Sequence, residues 1–263
     1  MRLDKRSKIF LSLGILLFVS TSALGQLLDQ PKASLTLEMS QPSGTNGCAV
    51  VYNPTAGLYY ACIAGNSSFP LEVFSTSGAN VYQTEAGSDV RGMWWNAKTK
   101  QLEANCYGDY GIVGMSLDGM GYPSLGNSSI LAGGDHQPDV NSCGAYDGKK
   151  LIWYFDGSQL LSYSRKTGNP VGRLSITSNA PSIDDVNYTS VIYTGVKTME
   201  LGILDHAHNR VLLVNKKTGE VTGTVTLPYG AVTNSAFRFA YANKHVFLFD
   251  IDSRIWTGYQ IFI

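Results

Sequence analysis

The sequence lacks the features that mark several common protein classes. Beyond residue 25 no run reaches about 18 apolar residues, so we expect no membrane span. Sustained helical spacing of apolar residues is also missing there, which argues against a helical domain. The motifs GxSxG, HExxH, GxxxxGK[ST] and GxGxxG are all absent. The chain therefore carries no short signature of a nucleophile elbow, a zinc protease or a nucleotide-binding loop.

The first 25 residues have the layout of a secretory signal peptide. A basic leader, MRLDKRSK, precedes the apolar run IFLSLGILLFVS, and small residues at Ala23 and Gly25 precede a cleavage site before Gln26. The apolar run is too short to span a bilayer, and an uncleaved N-terminal anchor is the alternative. We therefore expect a secreted or periplasmic protein with a signal peptide at 1–25 and one mature domain at 26–263.

The charges of the mature chain nearly balance. Removing the first 25 residues leaves 16 positive and 19 negative side chains, a net charge of about −3. A weakly acidic chain has no electrostatic reason to bind nucleic acid or an anionic membrane. We expect a monomer whose partner is a protein or a glycan of unknown identity.

Short strand-like segments fill the rest of the chain. Runs rich in Val, Ile, Tyr, Phe, Trp and Leu, such as LIWYFDGSQLLSYSRKTG at 151–168, are separated by Gly, Asn and Asp turns about every ten residues. The 28 glycines supply turn conformations that β-branched residues avoid. This pattern is typical of an antiparallel all-β protein.

A repeat of 45 to 50 residues organises these strands. The triplets DVR at 89–91 and DVN at 139–141 and 185–187 each precede an apolar strand, as do GTN and VTN in the first and last units. We call these triplets the openers, and their third residues are 46, 91, 141, 187 and 234. Four short strands in each unit predict a single five-bladed β-propeller, with six blades as the alternative.

The spacing of a second turn predicts how the ring closes. A turn follows each opener by 27 to 32 residues and ends at Gly78, Gly119, Gly168 and Gly219. In the fifth unit this turn would fall at the end of the chain, so that unit lacks its outer strand. The spare strand SLTLEMS at 34–40 precedes the first unit. We expect it to pair with the segment near 254–262 and to close the propeller.

One repeat resembles a known family. The segment LDHAHNRVLLVNKKTGEVTGTVTLP at 204–228 resembles a repeat of NHL-type or YVTN-type β-propellers, in which NRV leads a strand and KTG turns it back. The resemblance covers this repeat well and the other four loosely. It implies the propeller fold, but those families include interaction modules, ligand binders and a few enzymes, so it implies no activity.

The openers predict a polar mouth at one end of the propeller channel, because equivalent positions of the blades form a ring. The candidate ligand-binding residues are Asn46, Asp89, Arg91, His136, Asp139, Asn141, Asp185, Asn187 and Asn234. Asp89, Asp139 and Asp185 are also candidate ligands for Ca²⁺ or another divalent cation; otherwise we expect no cofactor. The alternative is that each Asp or Asn caps its own loop through nearby backbone amides.

Two functions compete for this mouth. The favoured one is a non-catalytic binding module that presents the mouth to a protein or glycan ligand. The alternative is a hydrolase or lyase, lactonase-like or glycosidase-like, that uses the mouth carboxylates with or without a cation. The four tryptophans are assigned to packing between blades, and a sugar-stacking platform at Trp94 and Trp95 is the alternative.

The last expectation concerns the cysteines, which are Cys48, Cys62, Cys106 and Cys143. No CxxC spacing exists, so a cysteine zinc site is not expected, whereas an even number in an exported chain allows disulfides. Pairing Tyr52 with Leu58 across the first turn places Cys48 opposite Cys62, within disulfide reach. Cys106 would then pair with Cys143 across two blades. The alternative is four buried thiols that pack as small apolar residues.

Overall fold

The computed structural model describes residues 25–40, 44, 46–178 and 183–263, with the side chain of Leu125 left aside. Residues 1–24, which hold nearly all of the predicted signal peptide, lie outside this part. The described part contains twenty β-strands in five four-stranded antiparallel sheets. It contains no helix long and apolar enough to cross a membrane, and its one helical element is a 3₁₀ turn at Gly108–Tyr110.

Each sheet is one blade of a propeller, and its strands follow one another from the inner edge to the outer edge. Blade one contains β2 (Asn46–Asn53), β3 (Leu58–Ala64), β4 (Pro70–Phe74) and β5 (Asn80–Glu85). Blade two contains β6 (Val90–Asn96), β7 (Gln101–Cys106), β8 (Ile112–Leu117) and β9 (Pro123–Leu131). Blade three contains β10 (Ala145–Tyr146), β11 (Leu151–Phe155), β12 (Gln159–Ser164) and β13 (Pro170–Ser175). Blade four contains β14 (Ile192–Tyr193), β15 (Leu201–Asp205), β16 (Arg210–Val214) and β17 (Val221–Thr226).

Blade five confirms the predicted closure. It contains β18 (Phe239–Ala242), β19 (His245–Asp250) and β20 (Ile255–Gln260), and its outer strand is the N-terminal β1 (Ala33–Glu38). β1 pairs with β20 in antiparallel register, with Glu38 opposite Ile255 and Thr36 opposite Thr257. The five-bladed, all-β architecture is therefore as predicted, and the six-bladed alternative is not formed.

The inner strands of three blades are shorter than the repeat suggests. β10 and β14 contain two residues each, and the openers of blades three to five lie in loops ahead of their strands. These loops bond to the next blade instead: the Cys143 amide donates to the Thr189 carbonyl at 2.7 Å, and the Arg238 amide donates to the Gly47 carbonyl at 2.7 Å. The blades crowd together at this end of the channel, because their backbones approach to hydrogen-bonding distance.

Large rings fill the space between blades, which requires small residues opposite them. A Cβ on Gly47 would lie 2.5 Å from Cζ2 of Trp256, a fully buried side chain. Trp94 and Trp153 are 6% and 7% exposed and also pack between blades. The prediction that tryptophans serve packing is confirmed for these three.

Candidate functional site

The predicted polar mouth at the openers is almost closed. The Arg91 side chain is only 6% exposed, forms an ion pair with Asp89, and has its Cζ 4.7 Å from the ring centroid of Tyr107. Asp89 Oδ1 also accepts a hydrogen bond from the Gly65 amide at 2.7 Å. The structure thus brings Arg91 and Asp89 together, but as a buried pair with little access from solvent.

Asn187 is a fully buried structural amide. Its Nδ2 donates to the carbonyl oxygens of Asn234 at 3.0 Å and Phe237 at 2.8 Å, both in the loop that opens blade five. Its Oδ1 accepts from the Ser190 amide at 2.9 Å. The side chain is therefore engaged on both ends and ties blade four to blade five, as in the loop-capping alternative.

The remaining predicted residues do not converge on one ligand site. Asp139 and Asp185 are exposed, and Asp139 Oδ1 accepts from the amide of Asn141, two residues on. The Asn234 side chain accepts from the Ala236 amide at 3.2 Å in the same local manner. Asn46 is half-buried at the start of β2. The side chains of Asp139 and Asn234 thus bond within their own loops, as in the loop-capping alternative.

His136 is 1% exposed, and its Nδ1 lies 2.8 Å from the Gly133 carbonyl oxygen. Burial lowers its pKa, because the surrounding protein disfavours the charged imidazolium. Within the described ranges, no three His, Cys, Asp or Glu side chains are grouped to hold a metal ion. Asp89, Asp139 and Asp185 are therefore not a preassembled ligand set, and metal analysis of the purified protein tests the cation prediction.

A strained turn helps to close the opener end. Phe237 and Arg238 have φ angles of 53° and 59°, in the left-handed region that costs energy for residues with a Cβ. The Phe237 amide donates to Thr189 Oγ1 at 2.6 Å, which holds the turn in place. Its ring centroid lies 5.9 Å from Cζ of Arg91. This turn places an aromatic ring above the buried ion pair.

The accessible cavity is the central channel, and it opens at the other end. Its volume is about 340 Å³, and the inner strands of all five blades line it. At the opener end the lining stops at Cys48, Gly92 and Cys143, whereas at the other end it reaches Pro54 and Asn243 in the first turns of blades one and five. We call this second end the open mouth; it lies where the inner strands finish.

Five aromatic side chains line the open mouth, one from each blade. They occupy one register position, because each pairs with a residue at the start of the second strand of its blade. They are Tyr52, Trp95, Tyr146, Tyr193 and Tyr241. Sequence reasoning missed this ring, although an aromatic residue follows every opener by four to seven positions. Trp95 is half-buried and packs against the core cluster between blades one and two, as predicted, and it also lines the channel.

One of these tyrosines belongs to a polar group. Lys216 Nζ donates to Tyr193 Oη at 3.2 Å and lies 3.9 Å from Asp147 Oδ2. The other carboxylate oxygen of Asp147 accepts from the amides of Lys149, Lys150 and Leu151, which fixes the carboxylate in its turn. A phenol, an ammonium and a carboxylate from blades three and four thus lie next to one another, and the tyrosine of this group lines the cavity.

The cysteines lie at the closed end of the channel, and all four are buried free thiols. Burial raises the pKa of Cys106 and of Cys143 to about 12. Sγ of Cys48 lies 3.2 Å from Sγ of Cys62, yet the predicted register is wrong by one residue. Tyr52 pairs with Tyr59 rather than Leu58, and an irregularity between Gly47 and Ala49 shifts Cys48 beside Cys62. The two disulfides stay predictions.

The comparisons with known proteins identify the fold and no family. No protein-family model matches the sequence, and no curated protein matches it either. The NHL-type or YVTN-type resemblance is therefore shown only as far as a five-bladed propeller.

Two solved structures share this architecture. Glutaminyl cyclase from Myxococcus xanthus superposes with a TM-score of 0.57 at 12% identity, over 89% of this chain and 97% of that chain. A gluconolactonase from Xanthomonas campestris superposes with a TM-score of 0.51 at 11% identity, over 90% of this chain and 97% of that chain. At these identities the likeness shows the fold alone.

These neighbours correct the preference for a non-catalytic binding module. Both neighbours are enzymes by name, and both superpose on nearly the whole of this chain. Propeller sites are assembled from residues on separate blades, so a short sequence motif is a poor test for catalysis here. The preference for a non-catalytic module is therefore withdrawn, and the hydrolase or lyase alternative is taken up as a proposal below.

Proposed function

We propose that the chain is a hydrolase or lyase that acts on a small molecule in the central channel. The contact between Lys216 Nζ and Tyr193 Oη carries this proposal, because it places a positive charge beside the phenol of a tyrosine that lines a ligand-sized cavity. The enzymatic nature of both structural neighbours supports it. Asp89 and Arg91, in contrast, are buried at the closed end and are assigned a structural role.

Tyr193 is the proposed catalytic residue, since it lines the channel and its hydroxyl group can exchange a proton with a bound ligand. Lys216 is a positioning residue that places a positive charge beside the oxygen on which negative charge develops during proton transfer. Asp147 in turn orients Lys216. Hydrolases and lyases both need one positioned base, which this group supplies.

Turnover assays test the proposal. Gluconolactone and a glutaminyl peptide come first, followed by chromogenic glycosides and sugar-acid oligosaccharides. Tyr193→Phe removes one oxygen and should lower kcat by about 100-fold or more, the usual contribution of a general acid or base. Tyr82→Phe is the matched control, because Tyr82 stacks on Tyr122 at 4.8 Å and does not line the channel.

Two results would count against the proposal. One is wild-type protein that turns over none of these substrate classes. The other is a Tyr193→Phe variant as active as the wild type. Export of the chain is a separate proposal, and N-terminal sequencing of protein from its native host tests cleavage before Gln26.

A further inference from the structure

The lysines of the described residues are distributed very unevenly. Six lie in the turns between first and second strands, three lie in the turns between third and fourth strands, and one precedes β1. In that order they are Lys98, Lys100, Lys149, Lys150, Lys197 and Lys244; Lys166, Lys216 and Lys217; and Lys32. Because neighbouring strands are antiparallel, both kinds of turn lie at the end of the blades that carries the open mouth.

The first turns hold exposed lysines and no exposed acid, whereas the third turns at the same end hold the exposed acids Asp118 and Glu220. All six in the first turns are exposed, whereas the two acids of those turns, Asp147 and Glu200, are 7% and 9% exposed. The opener end shows the opposite pattern, with exposed acids in its loops at Asp109, Asp135, Asp139, Asp184 and Asp185. The first turns, which surround the open mouth, therefore present positive charge to a ligand.

The five aromatic residues around the open mouth set a second requirement for the ligand. Four tyrosines and Trp95 line the mouth, where the Tyr146 hydroxyl group donates to the Lys149 carbonyl at 2.9 Å and Asn243 Nδ2 donates to Tyr59 Oη at 2.8 Å. The indole Nε1 of Trp95 is buried without a hydrogen-bond partner among the described residues. A ligand that fits this mouth combines a ring with apolar faces, several hydroxyl groups and a negative charge.

The backbone of these turns argues for a carboxylate rather than a phosphate. Phosphate sites commonly use free backbone amides in Gly-rich turns or at helix N-termini. Here the side chain of Asn53 takes the amides of Thr55 and Ala56, and the side chain of Asn96 takes those of Lys98 and Thr99. Asp147 takes three amides in blade three. The charge available to a ligand is therefore on flexible lysine side chains.

We infer that the open mouth binds a carboxylated monosaccharide or short acidic sugar. The lysines of the first turns bind the carboxylate, and the aromatic residues of the mouth pack against the pyranose. The cavity volume of about 340 Å³ suits one or two sugar units. This assigns a substrate class to the enzyme proposed above and rests on that proposal only in calling the sugar a substrate.

Calorimetric titration of the full mature chain with glucuronate, glucose and AMP tests the inference without any turnover. Glucuronate should bind about tenfold or more tightly than glucose, because the two sugars differ in the carboxylate that meets the lysines. Its affinity should fall several-fold between about 0.02 M and about 0.2 M salt, since exposed charges are screened. AMP should bind more weakly than glucuronate.

Matched double variants separate the mouth from the general charge of the protein. Lys98→Gln with Lys149→Gln should weaken glucuronate binding about tenfold and reduce its salt dependence. Lys166→Gln with Lys217→Gln removes the same charge from third turns and should change affinity less than about twofold. Equal binding of glucose and glucuronate, tighter binding of AMP, or equal effects of the two double variants would overturn the inference. Glucuronate binding without turnover would leave it standing and count against the proposed catalysis alone.

Discussion

Glu103 in blade two and Arg165 in blade three form a two-pronged ion pair, with Nε to Oε2 and Nη2 to Oε1 both at 2.5 Å. Glu103 has no solvent exposure and also accepts from Trp94 Nε1 at 2.9 Å and Asn96 Nδ2 at 2.8 Å. The Glu103 carboxylate thus links blades two and three where their faces pack against each other. Removing its cation leaves an uncompensated buried charge.

Arg165→Met should therefore lower the free energy of unfolding by about 3–5 kcal/mol. Urea denaturation followed by tryptophan fluorescence measures the change. Lys166→Met is the matched control, because Lys166 is exposed in the same turn, and it should stay within about 0.5 kcal/mol of wild type. Similar losses for both variants would show that the ion pair does not fasten the blades.

Asn187 should matter more for stability than Asn141, although both occupy the third position of an opener. Asn187→Ala leaves buried carbonyl and amide groups of blades four and five without partners and should cost about 2–4 kcal/mol. Asn141 is half-buried, so Asn141→Ala should cost less than about 1 kcal/mol. Thermal unfolding of the two variants compares them, and equal costs would contradict the structural role of Asn187.

Asp205 should make the folded protein less stable at acid pH than at neutral pH. Burial alone would raise its pKa, but hydrogen bonds from His208 and Arg210 outweigh burial and hold the pKa below the ordinary value of 3.8. A lowered pKa in the folded state gives stability that is present above pH 3.8 and disappears as the pH falls through the folded-state pKa.

Asp205→Asn should thus be less stable than wild type at pH 7, and the difference should shrink below about pH 4. Urea unfolding at several pH values measures it. Asp252→Asn, at an exposed position, is the control. A wild-type advantage that does not change with pH would rule out the linkage.

Cys48 and Cys62 are the pair placed for oxidation. Their Sγ atoms lie 3.2 Å apart, and closing the loop between them would add about 3 kcal/mol in the chain-entropy account. Non-reducing peptide mapping of protein purified in air should show this link. A Cys62–Cys106 link, or four free thiols after exposure to an oxidant, would contradict the prediction.

Most of the fold could be predicted from the sequence, because a repeat of nearly constant length indicates the number of blades and the order of their strands. Openers 45 to 50 residues apart and the missing outer strand of the fifth unit led to five blades closed by the N-terminal strand. The register inside blade one could not be predicted, since the irregularity beside Cys48 leaves no mark in the spacing of turns.

The sequence placed the candidate site at the opener end, where the structure shows polar groups that bond within and between the loops, and the reason is physical. Repeated Asn, Asp and Arg residues mark polar groups in equivalent positions, but repetition does not reveal how far apart the blades lie there. Around Arg91 and Asn187 the blades approach to hydrogen-bonding distance, so these polar groups bond one another. In the sequence, the five aromatic residues of the open mouth resembled core residues, because Tyr and Trp in inner strands normally pack between blades.

The most direct test of the account compares the two ends of the channel in one assay. With any substrate that the wild type turns over, kcat/KM is measured for Tyr193→Phe at the open mouth and Asp89→Asn at the closed end, after cooperative unfolding confirms that both variants fold. We predict a loss of about 100-fold or more for Tyr193→Phe and a change of less than about threefold for Asp89→Asn. The reverse result would place the chemistry at the openers and contradict the central claim.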